Sequence, residues 1–99
     1  MTLEKFKGVK FSLGQTVMTR GIADKVAVDT KFAEFALASL KRHANGDWGD
    51  LCDDDKKENE NALKIGERLF SSYQQAEWKI WVITERDRSA TTILFPEEY

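Results

Sequence analysis

The sequence predicts an α+β fold: an antiparallel β-sheet of about four strands with two to three helices packed on one face. First, residues 78–85 are largely apolar on both alternating faces, which is typical of an interior strand. Second, the neighbouring stretches 68–73 and 90–95 are rich in β-branched and aromatic residues, so the three predict a C-terminal three-stranded meander. Third, residues 29–66 carry helical patterns that can cover the sheet.

The N-terminal part predicts one further strand. Residues 9–19 are expected to be extended and to lie at an edge of the meander, with Gly14 as a bulge or bend. Residues 1–8 are mixed in character and are expected to be flexible. Residues 22–28 are short enough to be either a single helical stretch or a loop.

The strongest helix signal follows Asp29 and Thr30, whose side-chain oxygens suit an N-cap. Asn45 and Gly46 end this helix, since glycine tolerates the left-handed conformation at a helix C-terminus. The apolar and small residues at helical spacing between these ends are Phe32, Phe35, Ala36, Ser39, Leu40 and His43.

A second helix is predicted after residue 52. Three consecutive aspartates begin it, where negative charge favours the helix macrodipole. Asp55 and Glu58 have capping-box spacing, Asn59 and Ala62 share one face, and Gly66 can close the helix.

Composition indicates a single domain spanning residues 1–99, with 41% hydrophobic residues and a net charge of −2. Residues 1–46 carry eight Lys/Arg against four Asp/Glu, and residues 47–99 carry seven against thirteen. The halves are therefore +4 and −6, which favours solubility or a basic partner for the second half. One cysteine cannot form an internal disulfide, and no apolar run suits a signal peptide or membrane span. These features predict a cytoplasmic protein without a membrane partner.

The loop of residues 46–51 is the sharpest local feature, and it has two interpretations. Trp48, between two glycines and flanked by Asp47 and Asp50, could be an exposed anchor for a basic partner. Alternatively, Trp48 packs into the core while the glycines form the turn and Asp50 caps a helix.

Two guanidinium groups, Arg86 and Arg88, lie at the turn between the last two strands, beside Asp87 and Ser89. This tip could contact a phosphate, or Asp87 could be a turn residue with the arginines in intramolecular ion pairs. A nucleic-acid surface would use Lys41, Arg42, Arg86 and Arg88.

No metal, cofactor or catalytic set is predicted. The residues His43, Asp47, Asp50, Cys52 and Asp53 match neither the ligand spacing of structural zinc sites nor that of calcium loops. A histidine at a helix end is instead expected to favour the helix dipole. No nucleophile–base pair has motif spacing, so the sequence predicts no enzyme.

Four segments carry a resemblance to a known family: HANGDWGDL at 43–51, DKKEN at 55–59, KIWVITE at 79–85 and DRSATTILFPEEY at 87–99. They resemble small bacterial proteins of plasmids and other mobile elements, usually labelled "plasmid related protein" or "type I restriction endonuclease subunit M". The resemblance covers about residues 9–99. It implies a setting on mobile DNA, often near conflict or maintenance genes.

The leading hypothesis is a non-enzymatic protein-interaction module that a mobile element encodes. Its concrete form is an inhibitor of host defence, of anti-CRISPR or anti-restriction type, with a host or element protein as partner. The alternative is a small nucleic-acid-binding or regulatory protein for maintenance of the element. Trp78 and Trp81 face opposite sides of their strand, so one of them is expected to lie outside the core beneath the helices. The residues expected to bind a protein partner are Asp47, Trp48, Asp50, Glu58, Arg86, Asp87, Arg88 and Ser89.

Overall fold

The structure is a computed structural model that describes residues 9–99. The flexibility expected for residues 1–8 lies outside the described residues. The elements in chain order are β1 (Gln15–Met18), α1 (Arg20–Val28), α2 (Thr30–Ala44), α3 (Asp53–Ile65), β2 (Leu69–Gln75), β3 (Trp78–Thr84), β4 (Ala90–Leu94) and a closing 3₁₀ turn (Pro96–Glu98).

The four strands form one sheet in the order β1-β4-β3-β2. The predicted α+β class and the antiparallel meander β2-β3-β4 are confirmed, with β3 inside the sheet. β1 lies at the edge, as expected, but runs parallel to β4. It is also shorter than the predicted strand over residues 9–19. Gly14 directly precedes β1 with a φ of +63°, and a Cβ there would meet the Ser89 carbonyl carbon at 2.3 Å.

Helix α2 covers the centre of the sheet, and its predicted start is confirmed. The Asp29 side chain accepts a hydrogen bond of 3.1 Å from the Phe32 amide, which satisfies a free N–H of the first turn. All six residues expected along the apolar face are buried. Residues 22–28, which the sequence left as helix or loop, are helical, and the helix α1 that contains them begins two residues earlier at Arg20 and lies beside α2.

Helix α3 begins at Asp53, with Cys52 as the N-cap and without a side-chain cap. The capping box expected for Asp55 and Glu58 is therefore wrong, because Asp55 lies inside the first turn. The acidic first turn and the left-handed Gly66 at the C-terminus are confirmed. The Asn59 side chain holds α3 against β2, since its amide bonds both the N–H and the C=O of Phe70.

Among the described residues, helices cover only one face of the sheet, and we call the other the open face. Ile80 and Val82 point towards the helices, where they join Phe32, Tyr73 and Ile93 in the main core. Trp81 and Ile83 point to the opposite face, as the alternation predicts. No helix within residues 9–99 has the length and apolar character needed to cross a bilayer.

Candidate functional site

Trp48 is buried, with 3% of its surface exposed. Its indole N–H donates a 2.7 Å hydrogen bond to Glu60 Oε2, and its ring lies nearly parallel to Phe11 at 6.3 Å between centroids. The interpretation of Trp48 as an exposed anchor is therefore wrong, because the ring cannot reach a partner. The alternative, a core tryptophan above a glycine turn, is confirmed, but its helix cap at Asp50 is wrong, because the N-cap of α3 is Cys52 and no side chain caps that helix.

The backbone of this loop explains why Trp48 turns inward. The Asp50 amide donates to the Ser72 carbonyl at 2.7 Å, and the Ser72 amide donates to the Trp48 carbonyl at 3.3 Å. The loop thereby lies along the outer edge of β2. Gly49 has a φ of +76°, and a Cβ there would lie 2.0 Å from the Ser72 oxygen. Only glycine permits this approach.

Asp47 is engaged with its own chain. Its carboxylate accepts from Arg42 Nε at 2.7 Å and Nη2 at 3.2 Å, a bidentate pair. This hydrogen bond lowers the pKa of Asp47 and raises that of Arg42. The Asp47 carbonyl accepts a 2.6 Å hydrogen bond from the Tyr73 hydroxyl, and the Arg42 guanidinium lies 4.9 Å from the Tyr73 ring centroid. Arg42 and Asp47 thus fix the end of α2 to the sheet.

The hairpin tip is also held by internal contacts. The Arg88 guanidinium donates to the carbonyls of Glu67 at 2.7 Å and Glu85 at 3.1 Å. Arg86 lies 3.7 Å from a Glu67 carboxylate oxygen, and the Asp87 side chain accepts from the Ser89 amide at 3.0 Å. Asp87 is therefore a turn residue and Arg86 an ion-pair partner, as the second interpretation expected, but the ion pair expected for Arg88 is wrong, because its guanidinium bonds backbone carbonyls instead.

Phe11 connects the two segments that the sequence singled out. Its ring lies beside Trp48, and the Arg88 guanidinium lies 5.7 Å from its centroid. Of the remaining residues expected to bind a partner, Asp50 and Glu58 are exposed. Lys41, from the nucleic-acid set, is half-buried.

His43 belongs to a buried chain of hydrogen bonds that crosses β2, β3 and β4. Thr91 Oγ1 donates to the Leu13 carbonyl at 2.7 Å, because a carbonyl can only accept. Thr91 therefore accepts from Thr84 Oγ1 at 2.7 Å, and Thr84 in turn accepts from His43 Nε2 at 2.8 Å. Nδ1 is left as the acceptor for the Ser71 hydroxyl at 2.5 Å. These hydrogen bonds together require the neutral tautomer of His43 with the proton on Nε2.

Burial lowers the pKa of His43 to about 3, with a smaller contribution from Arg88. The imidazole is therefore neutral, and the expectation that it favours the helix dipole as a cation is wrong. His43 and Ser71 are both fully buried, so their hydrogen bond is closed to substrate. The pair holds α2 to the sheet instead.

The open face of the sheet carries a groove of about 270 Å³, which we call the aromatic groove. Trp81 lies at its centre, with the Phe70 ring 5.0 Å away and the Tyr99 ring 5.7 Å away, both edge to face. Arg68 Nη2 donates to the Tyr99 hydroxyl at 2.8 Å, and the guanidinium lies over the Tyr99 ring. The residues lining the groove are Arg68, Phe70, Trp81, Ile83 and Tyr99.

The sequence pattern indicated only one of the residues that line the aromatic groove. The alternation in β3 placed Trp81 on the face opposite Trp78, which is the one signal that pointed there. Phe70 has the same parity in β2 as Ser72, the cross-strand partner of Trp81, so register could have added it. Tyr99 had no such signal, because it lies beyond the strands and reaches the face only through the 3₁₀ turn.

Within residues 9–99, no group of three or more His, Cys, Asp or Glu side chains comes together as a metal site. Comparisons with family models, with curated proteins and with solved structures find no match to this chain.

Proposed function

We propose that the chain is a non-enzymatic protein-interaction module and that the aromatic groove is its binding surface. The observation that carries this proposal is the position of Trp81, half-exposed between Phe70 and Tyr99 on the uncovered face of the sheet. Tryptophan, tyrosine and arginine are the residues most enriched at binding hot spots, and the groove presents all three.

The residues that line the groove indicate what kind of partner segment it could bind. Three rings offer apolar contact for one large side chain of a partner protein, and the Arg68 guanidinium offers donors at the rim. We infer a partner segment that inserts an apolar side chain beside Trp81 and places a carbonyl or carboxylate near Arg68. The exposed Asp50, Glu58 and Arg86 remain candidates for a surrounding contact.

The resemblance to mobile-element proteins supports a host or element protein as this partner. An inhibitor of host defence, of anti-CRISPR or anti-restriction type, is the concrete form of the proposal. In this form the chain would act by occupying a surface of a defence protein, and it would need no catalytic group of its own.

The test is capture of a partner by variants of matched fold. Trp81→Ala and Tyr99→Ala remove groove rings, whereas Gln74→Ala changes an exposed residue of β2 outside the groove. We expect a protein from host lysate to bind the wild type and Gln74→Ala and to be lost with both groove variants. Circular dichroism establishes that all four chains are folded. No captured protein at low salt, or equal capture by all four chains, would contradict the proposal.

A second candidate, binding of single-stranded nucleic acid, is favoured by the same rings, because bases stack on aromatic side chains. The nucleic-acid surface expected from Lys41, Arg42, Arg86 and Arg88 is weakened, because Arg42 pairs with Asp47 and Arg88 bonds backbone carbonyls. The aromatic groove would replace them, with Arg68 at its rim.

Titration with a single-stranded oligonucleotide distinguishes the two candidates. Stacking on Trp81 would quench its fluorescence, and the affinity would fall steeply with salt. A mobility shift that Trp81→Ala abolishes and Gln74→Ala retains would favour nucleic acid. An absence of any shift at low salt would remove this candidate.

A further inference from the structure

The two edges of the sheet differ in their cover. The outer edge of β2 is occupied by the Gly49 bridge to Ser72 and by the Asn59 side chain on Phe70. The outer edge of β1 has no strand beside it within residues 9–99. Open strand edges are sites at which another strand can add.

The hydrogen bonds of β1 show which backbone groups are free to pair. The Gln15 amide donates to the Ser89 carbonyl at 2.9 Å, and the Thr19 amide donates to the Ile93 carbonyl at 3.1 Å. Alternate residues therefore face β4, and the N–H and C=O groups of Thr16 and Met18 point away from the sheet.

This edge lacks the features that usually prevent pairing. The strand Gln15–Met18 contains no charged residue and no proline. Beside it on the helix face is an apolar groove of about 240 Å³, whose lining includes Thr16, Met18, Val26 and Leu37. Met18 and Leu37 are 43% and 37% exposed, so an apolar surface continues from the strand edge.

We propose that β1 pairs antiparallel with β1 of a second copy of this chain, around a two-fold axis at Val17, which joins two sheets into one of eight strands. In this register Thr16 exchanges both backbone hydrogen bonds with the partner's Met18, and Met18 does so with the partner's Thr16. The two Val17 side chains face each other on the open face. The partner's Met18 comes to lie beside Thr16, at the mouth of the apolar groove.

A second copy fits this edge because the strand is uncharged. A two-fold interface sets the same short strand against itself, so a charge on β1 would lie near the same charge on the partner strand and repel it. The register is also symmetric in its hydrogen bonds, with four bonds around Val17 and no outward group of Thr16 or Met18 left unpaired. The pairing is independent of the aromatic groove, which lies at the other end of the sheet, on β2 and β3.

Cysteine cross-linking tests the register directly. Opposite residues in a non-hydrogen-bonded antiparallel pair have Cα atoms about 4.5 Å apart, within reach of a disulfide. In a Cys52→Ser background, which removes the exposed native thiol, we expect Val17→Cys to form a covalent dimer on mild oxidation. Gln15→Cys is the matched control, since its partner in this register is Thr19, and it should cross-link at least about tenfold more slowly.

Sedimentation equilibrium tests the association without a covalent bond. The mass of the wild type should rise with concentration towards that of a dimer. Val17→Lys, which sets two ammonium groups against each other, should raise the dissociation constant at least about tenfold, whereas Val17→Thr should retain the dimer. A wild type that stays monomeric up to about 1 mM would overturn the proposal. So would capture of a different protein that Val17→Lys abolishes in a monomeric chain, because the edge would then serve another occupant.

Discussion

The two faces of the sheet use aromatic side chains in opposite ways. On the covered face, the Phe32 ring is fully buried and lies 5.3 Å from Trp78 and 5.7 Å from Phe95. On the open face, Trp81 meets Phe70 and Tyr99 at similar distances but remains half-exposed. Ring contacts alone therefore do not distinguish a core from a surface. The distinction is the layer of helices, which covers one set of rings and leaves the other in contact with water.

This difference concentrates the aromatic contribution to stability on the covered face, and it is the reason for proposing the open face as the binding surface. Apolar surface that is removed from water contributes about 25 cal/mol per Å², so the covered rings contribute their full area to folding. The open rings contribute less to folding and keep area that a partner can bury.

The largest effect is expected when phenylalanine is replaced by alanine on the covered face, and the same replacement on the open face is the comparison. Phe32→Ala should lower the free energy of unfolding by about 3–5 kcal/mol, because it leaves a cavity in the main core. Phe70→Ala should cost about 1–2 kcal/mol, since that ring is half-exposed and gives up less buried area. Urea unfolding of both variants measures the difference. Equal costs would show that the open face is as much a part of the core as the covered one.

The second prediction concerns the polar chain within the covered face. The pKa of His43 is about 3 in the folded protein and near 6.5 in the unfolded chain. Above pH 6.5 both states are neutral and His43 adds no pH dependence. Below it the unfolded chain takes up a proton that the folded protein does not, so stability falls by up to about 1.4 kcal/mol per pH unit.

Unfolding measured between pH 7 and pH 5 tests this sign, because most carboxylates stay ionised over that range. The wild type should lose about 2 kcal/mol across it, whereas His43→Gln should have lower stability throughout and a flatter profile. An identical slope for both chains would mean that His43 takes up its proton in the folded state.

Local sequence patterns predicted the regular helices and strands, but they did not predict the contacts between segments that are distant in sequence. Period-two alternation identified β3 as interior and separated Trp78 from Trp81, and the Asp29 cap fixed the start of α2. Trp48 was left open because Gly46 and Gly49 are compatible with either direction of the ring. Its burial follows from the close approach of Gly49 to Ser72, two residues far apart in sequence. The parallel pairing of β1 with β4 likewise depends on a connection that runs through three helices and two strands.

The candidate site was less predictable for the same reason. Of the eight residues expected to bind a partner, seven lie in the loop and the hairpin tip, and the eighth, Glu58, lies in α3. Arg88 illustrates why the tip was misleading: a guanidinium that looks available in sequence meets four backbone carbonyls in the fold. The aromatic groove draws instead on three separate segments, and only Trp81 carried a signal of its position.

The smallest effect on stability is expected at Tyr99, on the open face. Tyr99→Phe removes the hydroxyl that accepts from Arg68 but keeps the ring against Trp81. Because this contact is exposed, the variant should change stability by less than about 0.5 kcal/mol. Tyr99→Ala should also leave the main core intact, yet it removes one wall of the aromatic groove and opens Trp81 to water.

Acrylamide quenching in single-tryptophan chains measures that opening. Trp81 alone should be quenched more strongly than Trp48 alone, and Tyr99→Ala should increase the quenching of Trp81 while Tyr99→Phe leaves it unchanged. Trp48 serves as the internal reference, since its indole is 3% exposed. If Tyr99→Ala leaves Trp81 as shielded as Trp48, the open face is covered by something other than Tyr99. That result would contradict the proposal that the aromatic groove is the binding surface.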